Sequence, residues 1–373
     1  MKDPGITPYQ FGALISSTIL ATNILFIPSY VVNRVGEAGW LTLFFAAVLD
    51  VTVGALLFYL GRKFPEQNFI QYSLTLAGPL LGSLINLIYL GFLLLAAAMS
   101  VRSFGDFITE NYLPATPRSF IIYLVVFVAG VGANHGLESI ARAGELITPV
   151  AVGLLFLIFF LVSPDITLAR LRPVTLGAAV PALRASLVPT ALFGECVIMA
   201  MLMPFVQEQR KTLLAKGTAV AVASLITALL VAASVGVFGA VQTGNFTCAL
   251  NQLTRIISVA GFLERLEALF MSVWMLTAFL KIALFLWVVA WGLRQWWNLS
   301  DYRPLLLPLG FLLAALSEVF ASNCPELLTY LSYHPYFALP VEVGITSFLV
   351  LLGWVRFRGK GGSAADKLAG GHR

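Results

Sequence analysis

The sequence has few charged residues and few residues suited to metal sites or disulfides. Asp, Glu, Lys and Arg make up 11% of its 373 residues, whereas soluble domains carry roughly a quarter. Three cysteines do not indicate a disulfide framework, and the three scattered histidines show no metal-ligand spacing. A phosphate-binding loop of the form Gly-x-x-x-x-Gly-Lys-Ser/Thr is also missing. No metal or other cofactor is therefore expected, and any transport is not powered by ATP on this chain.

Two further function classes are not expected. The loops offer no nucleophile and base pair, which argues against an enzyme. The net charge is +5, but no aromatic and basic surface accompanies it, so a nucleic-acid partner is not needed. We expect the basic residues to contact anionic membrane lipid instead.

Long apolar segments dominate the chain. Hydrophobic residues make up 59%, in ten stretches near the roughly 20 residues that a helix needs to cross a bilayer. Lipid offers free backbone groups no partner, and these stretches lack the alternation of barrel strands, so they are expected to be helices. The sequence predicts an all-α membrane protein of about ten transmembrane helices, at residues 9–31, 38–61, 80–101, 119–134, 145–163, 186–206, 217–240, 267–293, 304–321 and 335–355.

The ten spans divide into two halves of five. The first span shows neither the basic head nor the cleavage site of a signal peptide, so it is expected to stay as a helix. With both termini in the cytoplasm, the cytoplasmic segments carry the majority of the 23 Lys and Arg residues, as the positive-inside rule requires. Lys216 is counted among them, at the cytoplasmic end of span seven. The predicted organisation is a cytoplasmic N-terminus, a first repeat, an outer loop, a second repeat and a disordered basic cytoplasmic tail, at 1–8, 9–163, 164–185, 186–355 and 356–373.

The first spans of the two halves contain helix-breaking residues near mid-membrane. Span one carries polar Thr22 and Asn23 followed by Pro28, and span six carries Gly194 and Glu195 between two prolines. Proline removes a backbone donor, and broken helices are tolerated in lipid where they line a cavity or are buried in protein. Interruptions in corresponding positions of two halves point to a transporter-type binding site. The alternative is two proline-kinked helices in an ordinary bundle.

Ionisable side chains inside the membrane are functional candidates because each costs about 2.5–3.5 kcal/mol there. Asp50, Glu195, Lys281 and Glu318 fall within predicted spans, while Glu342 lies near a predicted end and is expected to reach the interface. Glu195 has the strongest case because it lies in the break, where it can meet a ligand ammonium or take up a proton. Asp50 is more simply explained as a packing contact.

Spans eight and three supply further residues that could line the ligand site. Thr277 and Trp274 precede Lys281 at intervals of about one turn, so they share its face of span eight. Asn86, Tyr89 and Leu93 recur at helical spacing along span three, although such stripes also arise from plain helix packing. Lys281 itself has a structural alternative, a packing pair with Glu195 or Asp50.

Charged clusters near span ends and two cysteines have open interpretations. The clusters are gates, subunit contacts or solvated ion pairs, and comprise Glu264, Arg265 and Glu267 on the outer side and Glu138, Arg142 and Glu145 on the cytoplasmic side. Cys248 and Cys324 both fall in predicted outer loops, where they either pair or remain free thiols.

From about Ile6 to Arg356 the chain resembles the B subunit of bacterial spore germinant receptors, permeases of the amino acid/polyamine/organocation superfamily. The resemblance depends on the order and spacing of three motifs. These are Ile24-Leu25-Phe26-Ile27-Pro28; Leu113-Pro114-Ala115-Thr116-Pro117 with Gly136-Leu137-Glu138-Ser139-Ile140-Ala141-Arg142-Ala143-Gly144-Glu145; and Phe262-Leu263-Glu264-Arg265-Leu266-Glu267-Ala268-Leu269-Phe270 with Trp274 and Lys281. Family members often have a Gly-Thr-Gly-like stretch where this chain has Ala21-Thr22-Asn23.

The resemblance implies a LeuT-like fold, a five-plus-five inverted repeat with the ligand between broken helices one and six. Lys281 then occupies the place where sodium-coupled relatives hold a cation, as a coupling group or cation substitute. It also implies the spore inner membrane, with A-type and C-type receptor subunits as partners and a small nutrient, typically an amino acid, as ligand. The ligand-binding candidates are Ala21, Thr22, Asn23, Tyr89, Phe193, Gly194, Glu195 and Thr277.

Three functions remain open. The first is a germinant sensor that binds a nutrient and changes conformation, which requires different ligand affinities in its two states. The second is a proton- or cation-coupled amino acid transporter. The third is an ion or water conduit, or a membrane scaffold, in which the pocket is vestigial.

Overall fold

The computed structural model describes residues 5–171, 176–256, 266–320 and 324–358, and these are almost entirely helical. The α-helices are α1 Pro8–Val35, α2 Leu41–Lys63, α3 Phe69–Asn111, α4 Arg118–Asn134, α5 Leu137–Val162, α6 Ala179–Ala185, α7 Leu187–Gly194, α8 Met199–Leu202, α9 Thr212–Phe238, α10 Ala240–Asn245, α11 Ala249–Ile256, α12 Leu266–Trp296, α13 Arg303–Phe320, α14 Cys324–Leu339 and α15 Thr346–Arg358. Short 3₁₀ segments join several of them, and a π-helical segment, Pro340–Ile345, joins α14 to α15.

Each of the ten predicted spans coincides with a helical segment. In the described part of the chain, seven helical stretches are long and apolar enough to cross a membrane, and the first contains both α1 and α2: Pro8–Lys63, Phe69–Asn111, Leu137–Asp165, Leu187–Phe205, Gln209–Phe238, Glu267–Trp296 and Thr329–Arg356. The shorter α4 and α13 match the remaining two predicted spans. Residues 359–373, most of the predicted tail, lie outside the described residues.

The third span begins at a bend in α3. Gly78 has a φ of 83° and is followed by Pro79. Proline disfavours the α conformation in the residue before it, and glycine tolerates the left-handed alternative. The helix therefore changes direction at Gly78, two residues before the predicted start of the span at residue 80.

The predicted break in span one is wrong, because α1 is continuously α-helical from Pro8 to Val35, through Pro28. The polar residues at mid-helix find partners without unwinding the backbone. Asn23 Nδ2 donates to the Ile19 carbonyl at 2.8 Å, and the Thr22 hydroxyl accepts a hydrogen bond from another helix. Side chains that bond to the preceding turn or to a neighbouring helix allow polar residues inside a membrane helix.

Span six, Leu187–Phe205, is irregular at the predicted place. Its α-helical geometry ends at Gly194, a 3₁₀ segment covers Glu195–Ile198, and a second one, Met203–Phe205, follows α8. A 3₁₀ stretch within a helix often marks a functional hinge or strain. The two halves therefore differ: span six changes geometry at Glu195, whereas span one does not.

The packing of the bundle brings the candidate residues together. α1 contacts α5, α9 and α12, and α12 also packs on α3 and α4. Span six lies against α2, α14 and α1. The middle of α1, the 3₁₀ segment of span six and the middle of α12 therefore converge inside the protein, away from lipid.

Candidate ligand site between α1, span six and α12

Lys281 joins three helices at the centre of the bundle. Its Nζ donates to Glu195 Oε2 at 2.5 Å and also to Thr22 Oγ1. The side chains of Lys281 and Glu195 are both 0% exposed, and Thr22 is 6% exposed. An ammonium and a carboxylate so far from water are stable only as a partnered pair. The structure thus brings together Thr22, Glu195 and Lys281, three of the candidates from the sequence, and the pairing of Lys281 with Glu195 is one of the alternatives left open there.

Hydrogen bonds between α1 and α12 involve the other candidate residues on these two helices. Trp274 Nε1 donates to the Ala21 carbonyl at 2.9 Å, and Ser17 Oγ donates to the Thr277 carbonyl at 3.4 Å. The Thr277 hydroxyl donates within α12, to the Trp274 carbonyl at 2.8 Å. Ala21 and Thr277 therefore lie at the α1–α12 contact next to Lys281, and their bonds hold the two helices together.

Tyr89 of α3 contacts span six directly. Its hydroxyl donates to the Val197 carbonyl at 3.2 Å, within the 3₁₀ segment, and Phe69 stacks on its ring. Asn86 instead bonds to Ser73 at 2.6 Å, across the bend in α3. Of the candidates on α3, Tyr89 therefore contacts the 3₁₀ segment of span six, whereas Asn86 connects the two parts of α3 on either side of its bend.

Aromatic clusters lie on either side of the Lys281–Glu195 ion pair along α12. Trp274 packs on Phe104 and Phe107, with ring centroids 5.4 and 4.8 Å apart. Toward the other end, Trp287 stacks on Trp291, and both rings contact Phe205 of span six. At 1.5 Å per residue, Trp274 and Trp287 lie about 10 Å on either side of Lys281. The site is occluded in this conformation.

A polar cavity of about 340 Å³ lies beyond the Trp274 side of the site. Phe107 lines it and also contacts Trp274. The lining of the cavity consists of Phe26, Ser103, Asp106, Phe107, Glu110, Asn111, Asn245, Phe246, Thr247, Cys248, Asn251 and Gln252.

Glu342 does not reach the interface, so that prediction is wrong. It lies in the π-helical segment and is 1% exposed, and neither carboxylate oxygen has a hydrogen-bond partner in the described protein. The carboxylate lies against Gly194, where a Cβ atom would be 2.0 Å from Glu342 Oε2. Gly194 therefore serves as a point of close approach beside Glu195, and Phe193 next to it is fully buried.

A second buried ion pair lies on the α2–α9 contact. Lys216 Nζ lies 3.0 Å from Asp50 Oδ1, and both side chains are 0% exposed. The sequence counted Lys216 among the charges at the cytoplasmic end of span seven; in the structure α9 begins at Thr212, and Lys216 is buried inside the protein. Asp50 is a packing contact, as predicted.

Glu318 belongs to an ion network rather than to the central site. Arg118 bridges Asp106 at 3.2 Å and Glu318 at 3.6 Å, and the fully buried Arg102 lies 2.8 Å from Asp106. The network ties α3 to α4 and α13. Sequence reasoning missed the pairing of Arg102 with Asp106, although their spacing of four residues on one helix is a recognisable pattern.

The predicted cytoplasmic cluster is peripheral. Arg142 pairs with Glu138 at the surface, and Glu145 accepts from Gln10 at 2.8 Å. Cys248 has a free thiol, and burial raises its pKa to about 12. Glu264 and Arg265 lie outside the described residues, as does the side chain of Cys324.

The architecture is that of LeuT-like symporters. A closed, bromovinylhydantoin-bound structure of Mhp1, a nucleobase-cation-symport-1 family transporter, matches with a TM-score of 0.67 at 14% identity, over 93% of this chain and 78% of that one. A substrate-bound, outward-open Na⁺-coupled sialic acid symporter matches with a TM-score of 0.63 at 12% identity, over 92% and 78%. At these identities the matches establish the fold, which confirms the predicted LeuT-like class.

The chain belongs to the family described as spore germination protein, whose model matches residues 5–323. Spore germination proteins YndE and KB of Bacillus subtilis are each 26% identical to it, over 92% and 94% of this chain and 96% and 95% of their own. Spore germination protein XB of Bacillus anthracis is 22% identical over 74% of this chain and 77% of its own. The resemblance drawn from the sequence motifs is confirmed.

Proposed function

We propose that this protein is the nutrient-sensing membrane subunit of a spore germination receptor. The observation that carries the proposal is the buried pair of Lys281 and Glu195, with Thr22, between α1 and span six. Glu195 lies where span six changes from α-helical to 3₁₀ geometry, and irregular helices of this kind contribute to substrate sites in transporters. A small nutrient such as an amino acid binds there, and the protein signals by changing conformation.

The chemistry of the pair suits a zwitterion. An amino acid carries one ammonium and one carboxylate, so it can separate Lys281 from Glu195 and still leave every charge partnered. Its ammonium meets Glu195 and its carboxylate meets Lys281. A ligand with a single charge leaves one protein charge buried without a partner, which costs several kcal/mol. The site should therefore discriminate against amino acid amides and decarboxylated amines.

Binding requires the closed site to open. Phe107 lines the polar cavity and contacts Trp274, which also packs on Phe104. We propose that these three rings cover the site on the cavity side, and we place this cavity on the outer face. Ligand shifts the equilibrium toward a conformation only to the extent that it binds that conformation more tightly. In our proposal Lys281 braces α1, span six and α12 without ligand, and the nutrient replaces that brace.

The family supports a proposal for the location and partners of the protein. We place it in the spore inner membrane with both termini on the cytoplasmic side, in agreement with the distribution of Lys and Arg. A-type and C-type receptor subunits are its proposed partners. Co-purification from spores with a tagged chain tests this assembly, and recovery of the chain alone would contradict it.

The alternative is a cation- or proton-coupled amino acid transporter, which the symporter neighbours favour. Radiolabelled amino acids added to proteoliposomes of the purified chain distinguish the two. Saturable binding without flux supports the sensor, and concentrative uptake driven by an ion gradient supports the transporter. Ion or water leak with no amino acid binding would contradict both and favour a conduit.

A further inference from the structure

Glu342 is a fully buried carboxyl group that the proposed nutrient site does not use. It lies in the π-helical segment Pro340–Ile345, between α14 and α15, and is 1% exposed. Neither oxygen has a hydrogen-bond partner in the described protein. Single turns of π-helix occur frequently at functional sites, and an unpaired ionisable group inside a membrane is a functional candidate by default.

The carboxyl group is held at this position by tight packing. It lies against the backbone of Gly194, where an added Cβ atom would be 2.0 Å from Oε2, 2.3 Å from Cδ and 2.8 Å from Oε1. A substitution of Gly194 would therefore displace it. The contact joins the π segment to Gly194, the residue directly before the 3₁₀ segment that begins at Glu195.

The charges around Glu342 do not compensate a carboxylate. Those that act on it are Glu195 of span six, Asp50 of α2 and Lys216 of α9. Lys216 is already paired with Asp50, and Lys281 with Glu195. These five buried groups include three carboxyls and two ammonium groups, so an ionised Glu342 would leave a net negative charge.

The cost of that charge decides the protonation state. An isolated carboxylate in a medium of low polarity costs far more than an unbonded neutral carboxyl group, whose penalty is a few kcal/mol. A group in this situation neutralises by taking up a proton rather than remaining charged.

We propose that Glu342 is a proton-binding site, which carries a proton in this closed conformation and loses it to water when the π segment moves away from Gly194. The bound ligand is H⁺ itself, taken from solvent to convert the carboxylate into a carboxylic acid. Movement of the last span is thereby linked to pH. This site goes beyond the proposed nutrient site and does not depend on which nutrient binds there.

Infrared spectroscopy of the purified protein in lipid tests the proposal directly. At neutral pH we expect the wild type to show the carbonyl band of a protonated carboxylic acid, and Glu342→Gln to lack it. Glu318→Gln is the matched control, because Glu318 is partly exposed and lies near Arg118, and it should keep the band. A wild-type spectrum without the band, or a band that survives in Glu342→Gln, would overturn the proposal.

A thermal-unfolding series against pH gives a second readout. Unfolded glutamate releases its proton near pH 4, so a native state that keeps it becomes less stable as pH rises. We expect the unfolding temperature of the wild type to fall as pH is raised, and that of Glu342→Gln to fall less. Equal slopes would contradict proton binding at Glu342.

Gly194→Ala keeps the test decisive if Glu342→Gln does not fold. The added methyl group displaces the carboxyl group from its buried position while leaving Glu342 in the chain. The infrared band of the acid should then disappear or shift at neutral pH. An unchanged band in folded Gly194→Ala would show that Glu342 is not its source.

Discussion

The ammonium group of Lys281 lies 2.5 Å from a carboxylate oxygen of Glu195, and neither side chain is exposed. The pair connects α12 to the point where span six changes from α-helical to 3₁₀ geometry. Since a buried charge without its partner is unstable, the two residues are expected to behave as a unit. Substitutions of one or both residues separate the contribution of this unit to stability from its contribution to ligand binding.

Single neutralisation of the pair should destabilise the protein. Lys281→Met leaves the buried Glu195 carboxyl group without its partner, and Glu195→Gln leaves Lys281 without its carboxylate, so each should cost about 3–5 kcal/mol. The double variant removes both charges and should recover most of that loss. Thermal unfolding in detergent or lipid nanodiscs measures all three. A double variant no more stable than the singles would show that the two residues do not act as a pair.

The second buried pair provides a matched control. Lys216→Met should destabilise the protein by a similar amount, because Asp50 and Lys216 are equally buried. The double variant Asp50→Asn/Lys216→Met should be stable and should still bind the nutrient, since this pair lies on the α2–α9 contact. Loss of nutrient binding in that variant would mean that binding depends on buried pairs in general.

The Thr22 hydroxyl should contribute through its bond from Lys281. Thr22→Val removes an acceptor for a charged donor and should cost about 1.5–3 kcal/mol. Thr18→Val is the control on the same helix, because the Thr18 hydroxyl donates to the Leu14 carbonyl within α1, and it should cost less. Unfolding measurements on both variants check the difference. Equal losses would argue that Thr22 acts only as helix packing.

The indole ring of Trp274 should control access to the buried pair of Lys281 and Glu195. Cys196 follows Glu195 directly, is fully buried and has a free thiol, so its alkylation reports opening. In a Cys248→Ser/Cys324→Ser background, maleimide should label Cys196 slowly, and Trp274→Ala should accelerate labelling several-fold. Trp297→Ala, at an exposed tryptophan, serves as the control. Equal labelling rates in both variants would contradict the prediction that Trp274 controls access to the site.

The helices of this protein were predictable because hydropathy alone determines where a chain can cross lipid. The ten predicted spans match helices to within a few residues at most ends, and the start of the third span is fixed by Gly78 and Pro79. Several helices extend beyond the apolar stretch, notably α3 through Asn111. Composition does not reveal such extensions, because they are stabilised by contacts between helices.

The site was only partly predictable because its partners come from distant parts of the chain. Polar Thr22 and Pro28 suggested a break in α1, but the partner that satisfies Thr22 is Lys281, on another helix. Lys216 was predicted to be a charge at the end of a span, whereas in the structure it lies in α9 and pairs with Asp50 of α2. Glu342 looked interfacial because nothing in its local sequence shows that Gly194 leaves room for its carboxyl group. Which helices meet is decided by packing, which a single sequence does not display.

The most direct test of the central claim is amino acid binding to the double variant Lys281→Met/Glu195→Gln, compared with the wild type at matched thermal stability. Binding of a radiolabelled amino acid panel to purified protein in nanodiscs provides the measurement. We predict saturable binding of at least one zwitterionic amino acid by the wild type, and its loss in the folded double variant. Equal affinity in the two proteins would contradict the placement of the nutrient between Lys281 and Glu195.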